Sequence, residues 1–327
     1  EAMRKARLSQ EGVVFALAVL LFAAFAVTLN NFLTTGNLIA LVRSVSILGI
    51  LGLGMGLVVI GRGIDLAMVA TMVVSLSWVL SMTQGGMPLG TALLFGLALA
   101  LAIGLMNGIL IAYADIPAIF TTLAMGLVAY GAGRAFLFQI DVQNTPAGIA
   151  WFDFLGQGSV FGLPMPIVAF AVLAALMALL LLRTRFGRFV YAAGDNALAA
   201  RITGIPLRPL IVAQYVVSAL IAFLAGLVMA AAVSGMSTRL YNSTMIYDVL
   251  LVVVLGGISL SGGRGGVRNI LVGTLLVGVL LNGMTILDIT YTTQNLIKSL
   301  ILLLAIMVDS FINPRDEQTS QQAQGDI

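Results

Sequence analysis

Two asparagines and three threonines are the side chains of this sequence best placed to hold a small polar molecule. Asn107 lies in an apolar run near 90–113, and Thr121 and Thr122 follow it across a short polar link. Asn282 lies in a second run, near 267–286, with Thr285 three residues on. A buried amide in lipid costs several kcal/mol unless it finds a partner, so these groups either line a route for a solute or fasten helices together. Amides and hydroxyls suit a neutral solute. Nothing here makes or breaks bonds. The 327 residues include no Cys and no His, which removes thiol nucleophiles, disulfides, most zinc sites and the commonest general base. No metal cluster and no acid–base pair emerges from what remains. The sequence therefore offers no catalytic residue, no metal site and no cofactor of its own.

The elements that carry these residues are membrane helices. Hydrophobic residues make up 60% of the chain and charged residues 9%, where a soluble domain has roughly 25% charged. Lipid must be the solvent for much of that surface. The net charge of +3 is small, and the basic residues do not cluster as a nucleic-acid footprint would. The fold class expected is all-α and polytopic, with about ten transmembrane helices of roughly 20 apolar residues each. The runs fall near 12–29, 38–61, 66–83, 90–113, 118–139, 166–182, 208–233, 244–258, 267–286 and 294–312, the eighth being short. The first run sits behind Arg4, Lys5 and Arg7, as a signal peptide would, and reads as an uncleaved anchor because spans continue after it. The transmembrane domain is 1–313, and the polar tail 314–327 reads as disordered.

Loop arginines orient the chain. With the N-terminus in the cytoplasm, Arg62, Arg183, Arg185, Arg188, Arg201, Arg208, Arg264, Arg268 and Arg315 all fall inside, and only Arg239 falls in an outside loop. Both termini are then cytoplasmic. Arg43, Arg134, Asp248 and Lys298 lie toward outer helix ends, where they either snorkel or line an outer vestibule. Asp65 stands next to Arg62 at the inner end of the third run, as a helix N-terminal acid or as a gating or ion-pair residue. The outer loop near 140–165 lacks Lys and Arg and contains Trp151, Phe152, Phe154 and Phe161. It reads as an interfacial aromatic belt or as a docking element for an external partner.

Two segments resemble each other. NGILIAYADIPAIFTTLAMGLV starts at Asn107 and NGMTILDITYTTQNLIKSLILL starts at Asn282. They run in opposite directions in this topology, which points to a 5+5 inverted repeat with a pathway near the interface of its halves.

The long inner loop 183–209, RTRFGRFVYAAGDNALAARITGIPLRP, has more order than an anchor needs. Asp195 or Asn196 can cap a short helix that ends at Gly204. Ala199 and Ala200 would give that helix a small surface able to lie in a partner's groove. The alternative is an ordinary positive-inside loop.

This loop resembles that of the ribose-type sugar permeases of bacterial ABC importers. The resemblance rests on Ala199, Ala200, Arg201, Thr203, Gly204 and Ile205, on Tyr191, Ala192, Gly194 and Asn196 before them, and on Gly63-Ile64-Asp65-Leu66, Asn107-Gly108, Ile116-Pro117-Ala118 and Gly256-Gly257-x-Ser259-Leu260-x-Gly262-Gly263. The matches extend over residues 50–310. Ala67, Met68, Val69, Ala197 and Leu198 depart from the family pattern. The resemblance implies a bacterial inner-membrane permease subunit, not an enzyme, that passes a monosaccharide or similar polar solute. It implies a cytoplasmic ABC ATPase carrying ATP and Mg, a periplasmic solute-binding protein, and a second permease copy or paralogue. Gly194, Asn196, Ala199, Ala200, Arg201, Gly204 and Ile205 would be the ATPase-coupling residues. The same architecture carrying branched-chain amino acids or nucleosides is the nearest alternative. An ion-coupled secondary transporter is the other, though acidic residues avoid the span centres. The chain has no Walker A motif and so does not power itself by that route.

Overall fold

A computed structural model describes residues 10–146 and 148–312. Arg4, Lys5, Arg7, Arg315 and the tail 314–327 lie outside the described residues. Among the described residues, ten apolar helices form the body. They are α1 (Gln10–Thr28), α2 (Thr35–Ile60), α3 (Met68–Gln84), α4 (Leu89–Tyr113), α5 (Ala118–Ala132), α7 (Met165–Arg183), α10 (Leu207–Ala232), α11 (Met245–Leu255), α12 (Val267–Ile286) and α13 (Tyr291–Ile312). Three short helices decorate the ends: α6 (Ala150–Gln157), α8 (Arg185–Asp195) and α9 (Ala197–Ile202). Each of the ten runs read from the sequence is occupied by one of these helices.

Eight helical stretches are long and apolar enough to cross a membrane; α3 and α11 are shorter. Eleven residues at 1.5 Å each give α11 a length of about 16 Å, about half the hydrocarbon thickness. A short span survives because protein, not lipid, surrounds the backbone at its ends. Val249 and Leu251 to Val254 are buried in α11, and most of α3 is buried as well. The centre is α2, which is apolar on every side and buried continuously from Ser46 to Ile60.

The packing repeats with an offset of five spans. α4 packs on α10 as α12 packs on α2; α3 packs on α4 and α10 as α11 packs on α12 and α2; α3 meets α5 as α11 meets α13. The helix ends match too. Gly86 (φ +94°) ends α3 with Met87 N–H donating to the Met82 carbonyl, and Gly257 (φ +90°) ends α11 with Ile258 N–H donating to the Val253 carbonyl. Asp115 after α4 and Asp288 after α12 adopt the same left-handed conformation. Five spans reverse direction, so the halves run oppositely. The outer helices α1 and α7 leave the pattern, packing on α12 and on α2.

At the arginine-poor end, β1 (Val142–Asn144) pairs antiparallel with β4 (Gly235–Ser237) and ties two loops together. Arg134 and Arg239 both pair with Asp141 beside this strap, at 2.9 and 3.1 Å. α6 buries Phe152 and lays Gly156 so close on the Ala231 backbone that a Cβ there would overlap it. Next comes a hairpin of β2 (Ser159–Val160) and β3 (Leu163–Pro164), whose two-residue turn has Phe161 and Gly162 both at positive φ. Phe161 at its tip is fully exposed, and Trp151 and Phe154 are exposed beside it.

Candidate functional site

The 183–209 segment folds as two helices in series. In α8, Gly187, Val190 and Gly194 recur at helical spacing and form the buried seam. Asn196 caps α9, its Oδ1 accepting from Ala199 N–H at 2.9 Å. α9 closes with Gly204 at φ +85°, Gly204 N–H on the Arg201 carbonyl and Ile205 N–H on the Ala200 carbonyl, both at 3.0 Å. That is the paired closure a left-handed glycine permits.

The exposed face of α9 is not the one expected from its alanines. Ala199 is exposed, but Ala200 is 4% exposed and packs inward. Successive residues lie about 100° apart, and the side of α9 that carries Ala200 is the one turned inward. The outward apolar side chains are Leu198 and Ile202, four residues apart and 52% and 79% exposed. The i, i+4 spacing was readable, but an apolar pair on a short helix reads first as a core face.

Gly194 also points inward. A Cβ there would overlap the Ile60 carbonyl and stand 2.6 Å from Gly263 N. Around it, Gly263 N–H donates to the Ile60 carbonyl (2.8 Å), Arg62 donates to the Ser261 (2.7 Å) and Asp195 (2.9 Å) carbonyls, and Tyr191 Oη donates to the Gly265 carbonyl (2.8 Å). Burial pushes the Tyr191 hydroxyl above its ordinary value, so it remains a neutral donor. The glycine-rich loop 256–266, the end of α2 and the end of α8 thus form one clamp. From the sequence, Arg62 and Tyr191 are a loop charge and a pattern match; the clamp gives them their use.

Asp65 sits just beyond the clamp, buried between α2 and α3. Its Oδ1 accepts from Ala67 N–H at 3.1 Å, at the start of α3, and its Oδ2 accepts from the Ser218 hydroxyl of α10 at 2.7 Å. Thr122 accepts from Leu66 N–H at 3.1 Å and donates to the Ala118 carbonyl, tying α5 to the same junction. Thr121 is buried over the Pro117 carbonyl.

The two asparagines do not share a site. Asn107 is six residues from the end of α4 and Asn282 four from the end of α12. They stand at opposite ends of the molecule, as the inverted repeat demands. Asn282 exchanges two hydrogen bonds with Asn37 of α2, at 2.8 and 3.0 Å, and so fastens helices. Asn107 is 1% exposed and neither side-chain atom has a partner. Thr285 is exposed and donates to its own helix at the Leu281 carbonyl.

The family model described as "Branched-chain amino acid transport system / permease component" matches residues 37–308. The chain belongs to this permease family. It is 30% identical over 313 residues to the ribose import permease of Escherichia coli K12, covering 94% of this chain and 95% of that one. The fructose import permease of Rhizobium meliloti is 30% identical, over 93% of this chain and 86% of its own. The L-arabinose ABC transporter permease of Azospirillum brasilense is 32% identical, over 93% and 88%. No solved structure gives a significant match.

The permease is thus a multi-pass membrane protein and a transport subunit rather than an enzyme. Lys298, Asp248 and Arg134 are held in ion pairs. Lys298 Nζ of α13 lies 2.7 Å from Asp248 Oδ1 of α11 and donates to Thr244 Oγ1 at 3.0 Å, with both charged side chains largely buried. Arg134 is the Asp141 partner described above. Arg43 keeps its Nε buried without a hydrogen-bond partner.

Proposed function

We propose that this permease carries a neutral monosaccharide into the cytoplasm as the membrane subunit of an ABC importer. In this reading a separate ATPase, holding ATP and Mg, docks on α8 and α9. A solute-binding protein delivers the sugar to the opposite face, and a second permease copy or paralogue completes the pathway. The permease domain is 1–313, and both termini and the 183–209 segment are cytoplasmic. The observation that carries the reading is α9 itself. Leu198 and Ile202 stand exposed at an arginine-rich, aqueous end, where lipid does not cover them. The clamp through Arg62, Tyr191 and Gly194 joins them to the buried α2. A push on α9 therefore moves a core span. Asn196, Ala199, Arg201, Gly204 and Ile205 shape and present the docking helix, and Ala200 and Gly194 seat it.

The names of the relatives at about 30% identity favour a sugar. A zwitterionic amino acid calls for free paired charges in the pathway, but Asp248 and Lys298 satisfy each other at 2.7 Å. The polar groups near the junctions, Asn107, Thr121 and Thr122, are neutral, and so are Asn282 and Thr285 at the other end.

Two experiments test the reading. Leu198→Glu combined with Ile202→Glu places two charges in the docking face without touching the core. The variant is expected to insert normally and to lose most co-purifying ATPase and sugar uptake. ATPase retention with unimpaired uptake rules out α9 as the docking helix. For orientation, the natural absence of cysteine allows Phe161→Cys and Asp195→Cys to be labelled singly. In intact spheroplasts an impermeant maleimide should react with the first and not the second; the reverse pattern inverts the topology.

A further inference from the structure

The arginine-poor end holds a cavity that the coupling and packing described so far do not use. Its volume is 330 Å³, and it opens beside the strap between the ends of α3 and α5. That lies at the lower end of the ~300–1,000 Å³ typical of small-molecule sites. Its polar walls are Ser81, Gln84, Gln139 and Gln143, its aromatic walls are Phe136 and Phe138, and no charged side chain lines it.

Two features mark it as built for a ligand. Gln143, in β1, is 1% exposed; its Nε2 donates to the Ile140 carbonyl at 3.4 Å, while its Oε1 is buried and unpartnered. A buried acceptor without a donor is costly, and a ligand hydroxyl would supply the donor. Secondly, α5 does not end as an α-helix. Residues Gly133–Leu137 form a π-turn, with Phe138 N–H donating to the Gly133 carbonyl at 3.0 Å. Such turns are rare and concentrate at functional sites, and this one sets the backbone that makes the cavity wall. Gln84 is held in place by its Nε2 bond to the Asn144 carbonyl at 3.2 Å.

We propose that this cavity is a binding subsite for a neutral, polyhydroxylated ring, occupied as the solute enters or leaves the permease. Amide and hydroxyl groups match sugar hydroxyls, the exposed Phe136 offers an apolar face to the ring, and the absence of a lining charge disfavours an amino acid. The assignment rests on the monosaccharide reading above and names a site for it.

The test uses the full chain in lipid nanodiscs with a single cysteine introduced as Gln139→Cys, and Phe161→Cys as a remote control. The maleimide reaction rate is measured against D-ribose, D-fructose, L-arabinose and L-leucine as probes. At about ten times Kd a bound ligand slows labelling about tenfold. At least one sugar should do so at position 139, leucine should not, and position 161 should respond to neither. Adding Gln143→Leu should raise the half-protecting sugar concentration about two- to tenfold. Should Gln139→Cys not fold, Ser81→Cys replaces it on the opposite wall. If no sugar protects these positions while cells carrying the same variants accumulate sugar, the subsite is wrong and the transport reading stands. Protection by leucine alone overturns both.

Discussion

Gly194→Ala leaves the permease in the membrane and abolishes uptake. The neighbours a Cβ would meet at this position are backbone atoms, the Ile60 carbonyl and Gly263 N, which cannot rotate aside. To make room, α8 must lift from the end of α2. The hydrogen bonds of the clamp, from Arg62 to the Asp195 carbonyl and from Tyr191 to the Gly265 carbonyl, then stretch or break. Overpacking of this kind costs about 1–3 kcal/mol, which shifts the ratio of seated to lifted α8 by about five- to 150-fold. Gly204→Ala provides the comparison. There the surrounding space is open, and only the left-handed backbone opposes a side chain, at about 1 kcal/mol. Uptake by Gly204→Ala should therefore fall partway, and that by Gly194→Ala to background. Immunoblots of membranes, run beside the uptake assay, separate lost coupling from lost protein.

Lys298→Met destabilises the permease by about 3–5 kcal/mol, because it strands Asp248 in a buried position. α13 rests chiefly on α11, and the two helices share an ion pair at 2.7 Å. The double change Asp248→Leu with Lys298→Met removes both charges and should recover most of the loss. Thermal unfolding of the parent and the two variants in detergent reads the effect. A Lys298→Met protein as stable as the parent would show that the pair is hydrated and incidental.

The spans were legible because membrane helices announce themselves by length and apolarity, and the end of α9 was legible in Gly204. The repeat was legible in Asn107-Gly and Asn282-Gly, since both helix ends need a small residue for close packing. The cap at Asn196 followed from its side chain. The direction in which Ala200 and Gly194 face was not legible. That depends on the glycine loop 256–266 folding back onto α2, a contact between residues about 200 apart. The pairing of Asp248 with Lys298 was hidden for the same reason, as was the bond from Asn282 to Asn37. The π-turn after α5 has no signature in the residues Gly133 to Leu137, so the cavity it shapes had none either.

The most direct measurement is solute accumulation in proteoliposomes containing the permease, its co-expressed ATPase and its solute-binding protein. With ATP on the ATPase side, labelled D-ribose, D-fructose or L-arabinose should accumulate for at least one sugar, and Leu198→Glu with Ile202→Glu should abolish it. Accumulation by the permease alone under a proton gradient, or ATP-dependent accumulation of leucine with none of the sugars, would contradict the account.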